Sequence, residues 1–243
     1  MKKNLKTNLI WLAIIAVVYA ILSALIVAGI INAFVAQIIT QIGINLIVAV
    51  GLNLVIGFTG QFSFGSAGFM AIGAYTSAIV TARMAPTWGT IFLSMLIGAI
   101  IAGIVAVIVG YPTLRLKGDY LAIATLGVSE IIRILIMNGG DLTNGAAGLS
   151  GIILFTDWGM TFIFAVVIII LILNFINSPS GRATLSVRED EIASESMGVN
   201  VTRVKVIAFT LGAMVTAIAG SLYAGFIGTV TPKDFTWMKS VDA

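Results

Sequence analysis

The chain has 243 residues, of which 59% are hydrophobic and only 9% are charged, with a formal net charge of +3. Soluble domains average about 25% charged residues, so this chain cannot cover a water-facing surface. It contains no cysteine and no histidine, which excludes disulfides, thiolate chemistry and imidazole catalysis. No catalytic site, metal site or cofactor is predicted in this chain. Its basic residues form no stripe, so nucleic-acid binding is not expected.

Apolar stretches follow one another along the chain. Residues 7–82 form a run of 76 residues without an acidic, basic or histidine side chain, which is long enough for several crossings of about 20 residues each. The first stretch follows Lys2, Lys3 and Lys6 and exceeds the hydrophobic region of a signal peptide, so we interpret it as an uncleaved span. The sequence predicts one all-α, polytopic transmembrane bundle over residues 1–243, with about seven spans at 9–30, 33–57, 63–82, 89–110, 119–137, 160–177 and 204–230.

The distribution of Lys and Arg predicts the orientation of these spans, because cytoplasmic loops carry the excess of basic residues. With the N-terminus in the cytoplasm, nine basic residues fall inside and only three, Arg83, Lys233 and Lys239, fall outside. This orientation places the segment 138–159 outside and the segment 178–203 in the cytoplasm. A multi-pass protein of the cell (inner) membrane, surrounded by lipid, is expected.

The second predicted span carries a polar stripe and runs into a glycine-rich segment. Gln37, Gln41 and Asn45 recur at helical spacing, and Asn53 follows. Such side chains need partners in a membrane, so they face either other helices or a water-lined substrate path. The segment 57–68 fits no nucleotide-binding loop and is either a tight turn or a broken helix that lines a substrate cavity. Its candidate path residues are Gly60, Gln61, Gly65 and Gly68.

Two further patterns lie inside predicted spans. Glu130 and Arg133 are one helical turn apart, which allows an ion pair. Ionisable groups at membrane depth are usually paired or functional, so a structural pair is favoured and a gating or substrate contact is the alternative. In the last span, small residues form two adjacent rows, which predict close helix packing within one subunit or at a moving or subunit interface: Ala213, Ala217, Ser221 and Gly225, and Gly212, Thr216, Gly220, Ala224 and Gly228.

The segment 178–203 concentrates charge. Eight of the chain's 23 charged residues lie between Arg182 and Lys205, and they sum to zero. Interspersed apolar residues predict short amphipathic helices, the second of them ending at Gly198. A lipid surface would favour basic rather than balanced charge, so a soluble protein partner is the preferred interpretation of this segment.

Three blocks of the sequence resemble branched-chain amino acid ABC-transporter permeases of the LivM type. The first, GLNLVIGFTGQFSFGSAGFMAIGAY, spans residues 51–75, and the second, LRLKGDYLAIATLGVSEIIRI, spans residues 114–134. The third, GRATLSVREDEIASESMGVNVTRVKVIAFTLGA, spans residues 181–213 and is similar to the cytoplasmic coupling loop of ABC importers. That loop usually begins with a glutamate and two alanines, whereas this chain has Ile192, Ala193 and Ser194 before Gly198.

The resemblance implies a permease subunit that has no chemistry of its own. It would pair with a second permease, bind two cytoplasmic ATPase subunits that use ATP, and receive a branched-chain amino acid from an extracytoplasmic binding protein. The residues expected to couple it to the ATPases are Arg182, Arg188, Glu189, Asp190, Glu191, Ala193, Glu195 and Gly198. Members of the family continue past the equivalent of Pro232, so the chain is expected to be truncated at its C-terminus.

Alternatives to this function stay open at the level of sequence. One is an ion-coupled secondary transporter that uses Glu130 as its carrier. Another is an ABC permease for a different small solute, such as urea or amides. An intramembrane enzyme is the least favoured, because the chain lacks cysteine and histidine. The charged segment 178–203 favours the ABC permease, since a coupled carrier needs no docking loop.

Overall fold

The computed structural model describes residues 2–84 and 87–241, with residues 2–10 and 12 described by their backbone. The side chains of Lys2, Lys3 and Lys6, used in the orientation argument, therefore lie outside the described part of the chain. Helices dominate because a helix satisfies its backbone polar groups internally. In chain order they are α1 (Lys2–Val27), α2 (Ala33–Thr59), α3 (Ser66–Arg83), α4 (Trp88–Thr113), α5 (Asp119–Met137), α6 (Trp158–Asn177), α7 (Pro179–Glu189), α8 (Glu191–Ser196), α9 (Val201–Ile227) and α10 (Met238–Val241).

Five helices in the described part of the chain, α2, α4, α5, α6 and α9, are long and apolar enough to cross a membrane. They coincide with five of the predicted spans, so the protein is an all-α, polytopic membrane protein. The predicted spans 9–30 and 63–82 correspond to α1 and α3. The described apolar part of α1, Ala13–Val27, is short, and α3 is diluted by glycine, serine and threonine. These two spans therefore stay predictions.

Helix α9 lies at the centre of the bundle and packs against α2, α3 and α4. Gly73 of α3 approaches it so closely that a Cβ atom there would lie 1.8 Å from the carbonyl oxygen of Ala217. The Ser221 hydroxyl donates to the Gly73 carbonyl over 3.0 Å. On another side, a Cβ atom on Gly212 would lie 2.8 Å from the carbonyl oxygen of Gly51 in α2. The two rows of small residues in α9 therefore pack within this chain, as the first of the two interpretations predicted.

The two ends of the bundle are called the α7–α8 end and the β end. The α7–α8 end holds α7, α8 and the connection between α4 and α5. The β end holds a two-residue antiparallel pair, in which β1 (Leu149–Ser150) pairs with β2 (Thr229–Val230). Helix α1 lies at the periphery, where the Tyr19 ring stacks on Trp158 of α6 with ring centroids 5.0 Å apart.

After β2 the chain turns back along α3 and α5. Residues 231–241, called the return segment, contain a 3-10 turn (Pro232–Phe235) and α10. The Asp234 carboxylate closes the turn by accepting from the Thr231 backbone N–H over 2.8 Å and from its hydroxyl over 2.9 Å. The sequence interpretation, which ended the last span at 230 and left Lys233 and Lys239 outside, did not foresee this return.

Candidate functional site

Helices α7 and α8 carry the predicted coupling residues, and capping explains why two short helices form there. The Ser178 hydroxyl accepts from a first-turn backbone N–H of α7 over 3.2 Å. The Asp190 carboxylate accepts from the backbone N–H groups of Ile192 over 2.8 Å and Ala193 over 2.9 Å, which starts α8. Gly198 follows α8 with a φ of +85°, a left-handed conformation in which glycine costs least. The two predicted helices and their stop at Gly198 are confirmed.

Two predicted coupling arginines bind backbone carbonyls at the ends of neighbouring helices. Arg182 donates to the carbonyl of Asn177, at the end of α6, over 3.0 Å. Arg188 donates to the carbonyl of Gly57, in the last turn of α2, over 2.6 Å. The carbonyls of a helix's last turn have no partner within the helix, so both arginines satisfy such groups. They also fix α7 to the bundle.

Glu191 forms an ionic cluster, called the α8 pin, with Lys205 of α9 and Lys117 of the α4–α5 connection. Its carboxylate is hydrogen-bonded to the Lys205 ammonium and lies 3.5 Å from that of Lys117. The Lys205 side chain is only 6% exposed and that of Glu191 33% exposed. Burial, the largest single influence, raises the pKa of the Glu191 carboxyl, but the hydrogen bonds and charges of Lys205 and Lys117 together hold that pKa below its usual value. Glu191 therefore points into the protein.

The outer surface of α8 is both polar and apolar. Glu189, Ala193, Glu195 and Gly198 are exposed, as a docking surface requires. Two apolar side chains project beside them, with Ile192 75% exposed and Met197 85% exposed. The list of coupling residues from the sequence omitted both, although their position in a mixed-charge segment was a signal for them.

The glycine-rich segment after α2 forms a break between two helices. Residues 60–65, called the broken segment, are not helical, and Gly60 has a φ of +69°. The Phe64 backbone N–H donates to the Thr125 hydroxyl over 3.0 Å. Thr125 is six residues into α5, about 9 Å along the axis at 1.5 Å per residue. Helix α3 therefore begins well inside the bundle. This agrees with a break between helices, while the lining of a substrate cavity by this segment stays a prediction.

The return segment meets the broken segment at the start of α3. The Ser240 hydroxyl donates to the Phe64 carbonyl over 2.9 Å and accepts from the Ala67 backbone N–H over 2.9 Å. On the opposite side, Gly68 lies against Ser129 of α5, where a Cβ atom would be 2.9 Å from the Ser129 Cα. One hydroxyl of α10 thus joins the return segment to the broken segment and to the first turn of α3, which are far away in sequence.

The interior around the broken segment is polar but closed. Gln61 is buried, and within residues 2–84 and 87–241 neither of its amide atoms has a hydrogen-bond partner. A nearby cavity lined by Ser63, Ser66 and Thr216 has a volume of only about 10 Å³. That space holds at most one water molecule. Gly65 and Gly68 are buried as well, so no amino acid fits in this part of the predicted path in this conformation.

The polar stripe of α2 lies apart from the broken segment. Gln37, Gln41 and Asn53 are exposed and Asn45 is half-buried. They occupy the outer surface of α2, whereas Gln61 of the broken segment is buried. The predicted path residues therefore form two separate groups.

Glu130 and Arg133 form the ion pair that their spacing predicts. The Arg133 Nε donates to both carboxylate oxygens of Glu130 over 3.0 Å, and a terminal nitrogen also bonds the carboxylate. The pair is not enclosed by the helices: the Glu130 side chain is 37% exposed and that of Arg133 is 20% exposed. Both line a groove of about 500 Å³ between α5 and the return segment.

Comparison with known proteins shows the family of this chain. A family model described as "Branched-chain amino acid transport system / permease component" matches residues 34–243. The chain belongs to this permease family. Its relatives include the "High-affinity branched-chain amino acid transport system permease protein LivM" of Salmonella typhimurium, 35% identical over 219 residues, and the protein of the same name from Escherichia coli, 36% identical over 219 residues. Each alignment covers 76% of this chain and 51% of the relative.

A more distant relative is the "Probable branched-chain amino acid transport permease protein LivM" of Methanocaldococcus jannaschii, 26% identical over 158 residues, or 61% of this chain and 46% of that protein. This permease chain therefore spans about half the length of the relatives it matches. No solved structure matches it. The region shared with the family includes the broken segment, the α5 ion pair, α7, α8 and the return segment.

Proposed function

We propose that the chain is part of the permease subunit of an ABC importer for branched-chain amino acids. The observation that carries the proposal is the capped helix α8, which presents apolar and acidic side chains outward while the α8 pin fixes it to the bundle. A membrane protein that drew its energy from an ion gradient would need no such surface. The names of its relatives, which are branched-chain amino acid transport permeases, supply the substrate class.

The proposed assembly contains four kinds of subunit. A second permease would cover the polar stripe of α2, because Gln37 and Gln41 need polar partners at membrane depth. Two ATPase subunits in the cytoplasm would bind the outer surface of α8, with Ile192 and Met197 as apolar anchors. A binding protein would deliver substrate at the β end. This arrangement puts the N-terminus and the segment 178–203 in the cytoplasm and the bundle in the inner membrane.

Coupling would follow the contacts that hold α7 and α8. A displacement of α8 moves Glu191, and the α8 pin transmits the displacement to Lys205 at the start of α9. Arg188 transmits it to the end of α2 through Gly57. Because the backbone of α9 touches those of α2 and α3 at glycine crossings, these helices would shift together as rigid elements. Binding of ATP to a closed ATPase dimer would then favour one of two permease conformations.

An ion-coupled transporter is a weaker proposal. A carrier carboxylate must gain and release a proton during each cycle, whereas Glu130 binds the Arg133 guanidinium through both of its oxygens. Charge-assisted contacts of this kind are among the strongest in proteins. An intramembrane enzyme finds no support either, since the family consists of transport permeases.

The proposed function is tested by reconstitution. The full-length permease, its second permease, the ATPases and the binding protein are placed in proteoliposomes, and uptake of radiolabelled leucine and of urea is measured. We expect leucine to accumulate only with ATP and only with the binding protein present. Accumulation driven by a pH gradient without ATP would contradict the proposal, and ATP-dependent uptake of urea but not leucine would contradict the substrate class.

A further inference from the structure

The groove between α5 and the return segment is open and has the volume of a ligand site. Its volume of about 500 Å³ lies in the range of about 300–1,000 Å³ found for small-molecule pockets. Glu130 is in the fourth turn of α5, between the two ends of the bundle. The groove is therefore reached inside the membrane, beside the point where the return segment meets the broken segment.

The ion pair in the groove leaves some hydrogen-bond donors of Arg133 available. An arginine has five N–H donors, and Arg133 directs those it uses to the Glu130 carboxylate and, over 3.1 Å, to the sulfur of Met137. A thioether is a weak acceptor. Within residues 2–84 and 87–241, each terminal nitrogen of Arg133 keeps one N–H group without a partner. An incoming carboxylate could bind there without breaking the ion pair.

The remaining walls of the groove are largely apolar. Leu126 of α5 and Trp237 and Met238 of the return segment contribute them. Trp237 is 43% exposed and Met238 is 59% exposed. An aliphatic side chain in contact with these residues would gain about 25 cal/mol for each Å² of apolar surface that it buries. The groove thus combines a carboxylate, a guanidinium and an apolar wall.

We propose that this groove is a transit site for the substrate of the proposed importer, a zwitterionic amino acid with a branched aliphatic side chain. The Arg133 guanidinium binds the α-carboxylate, the Glu130 carboxylate binds the α-ammonium group, and the side chain lies against Leu126, Trp237 and Met238. The proposal rests on the proposed function for its substrate. A neutral pair suits this ligand because the ligand is itself neutral, and weak, exposed contacts let it leave as readily as it enters.

The test uses the complete importer in proteoliposomes, with leucine uptake and ATP hydrolysis measured on the same samples. We expect Glu130→Gln and Arg133→Gln each to lower the leucine transported per ATP by about tenfold, as for one lost charge-assisted hydrogen bond. Leu135→Ala is the control on the same helix, since Leu135 is 66% exposed and does not line the groove, and it should leave the ratio unchanged.

The exchanged variant, Glu130→Arg with Arg133→Glu, separates a transit site from a structural ion pair. It keeps a pair at the same spacing, so the importer should assemble as the unaltered one does. Exchanging the charges turns the bound headgroup around and moves its side chain away from Trp237. We therefore expect transport per ATP to stay about tenfold low, because the substrate side chain loses its apolar contact with Trp237. Transport at the unaltered rate in this variant would overturn the proposal, because a structural pair tolerates the exchange.

Direct binding gives a second test that does not depend on transport. The importer in nanodiscs, without its binding protein, is titrated with radiolabelled leucine, and two competitors are added: leucinol, which lacks the carboxylate, and 4-methylpentanoate, which lacks the ammonium group. Each should compete about tenfold less well than unlabelled leucine, for one lost charge contact. Equal competition by either would overturn the proposal. If the unaltered importer moved no leucine at all, the proposed function itself would fail, and this outcome is distinct from a failure of the variants alone.

Discussion

The α8 pin makes a quantitative prediction about how firmly α8 is held. Removing one member of a buried ion pair costs about 3–5 kcal/mol, because the other charge is left without a partner. The Lys205 side chain is 6% exposed, but that of Glu191 is 33% exposed, so water can replace part of the lost carboxylate. For Glu191→Gln we therefore expect a cost of about 2 kcal/mol in the local stability of α8.

Amide hydrogen exchange measures this local stability directly, since it reports the free energy of opening of individual segments. The amides of Met197 and Gly198 donate to the Ala193 and Glu195 carbonyls at the end of α8, over 3.1 and 2.9 Å. A loss of about 2 kcal/mol should speed their exchange about 30-fold in Glu191→Gln, since each 1.4 kcal/mol corresponds to a factor of ten.

Three controls show whether the ion pair is responsible. Glu195→Gln removes an exposed carboxylate from the same helix and should change exchange by less than about 0.5 kcal/mol. Lys117 is 74% exposed, so Lys117→Gln should cost no more than about 1 kcal/mol. Combining Glu191→Gln with Lys205→Met removes both charges and should restore most of the protection. Equal exchange in Glu191→Gln and Glu195→Gln would refute the reasoning.

Three further predictions follow from the same structure. The pKa of Glu191 is lowered in the folded protein, so the α8 pin is complete above about pH 4.5 and is lost as the pH falls through the lowered pKa. The difference in amide exchange between wild type and Glu191→Gln should therefore shrink at low pH and stay constant at higher pH. Gly73→Ala should lower the stability of the full-length protein by several kcal/mol, measured by thermal unfolding. Gly127→Ala is the control: a Cβ there meets nothing within 4 Å, so it should stabilise the protein by about 0.5–1 kcal/mol. A Gly73→Ala protein as stable as wild type would contradict the close crossing of α3 and α9. Ser240→Ala leaves the buried Ala67 N–H without its acceptor and should cost about 1–3 kcal/mol in the same assay, and no change would mean that the return segment is held by other contacts.

The helices could be predicted from sequence because the patterns that form them are local. Long charge-free runs place α2, α4, α6 and α9 within a few residues. Asp190 and Gly198 determine where α8 begins and ends by caps that act within one turn. The spacing of Glu130 and Arg133 fixes their ion pair for the same reason. Small residues in α9 indicated its close packing, since only such residues let backbones approach.

The return segment could not be predicted because its stability comes from distant residues. Its charged residues, Lys233, Asp234 and Lys239, resemble those of an exposed loop. In the structure, Asp234 is satisfied within its own turn and the Lys239 ammonium lies 5.1 Å from the centre of the Tyr223 ring. Phe235 then packs against Tyr75, which is far away in sequence. Only the contact between Thr231 and Asp234, a capping box, is recorded in a local pattern; the contacts of Phe235 and Lys239 are not.

The sequence also could not show that the Glu191 side chain points into the protein. Helix α8 has only six residues, too few for hydrophobic periodicity to show which side faces the protein. Its partner Lys205 is 14 positions away in another helix. For the same reason, the sequence could not show that the predicted path residues fall into two groups. Gln37 and Gln61 lie in successive segments, yet Gln37 is exposed and Gln61 is buried.

The central claim is that the ATPase subunits bind this permease through α8. The most direct test is leucine uptake by the importer that carries both Ile192→Ser and Met197→Ser. Both side chains are exposed, so the substitutions should leave the fold intact. Loss of two apolar anchors should weaken ATPase binding about a hundredfold, at about 1.5 kcal/mol each. We predict that ATPase subunits no longer copurify with the variant permease and that ATP-dependent leucine uptake is lost. Copurification and uptake at the wild-type level would contradict the claim.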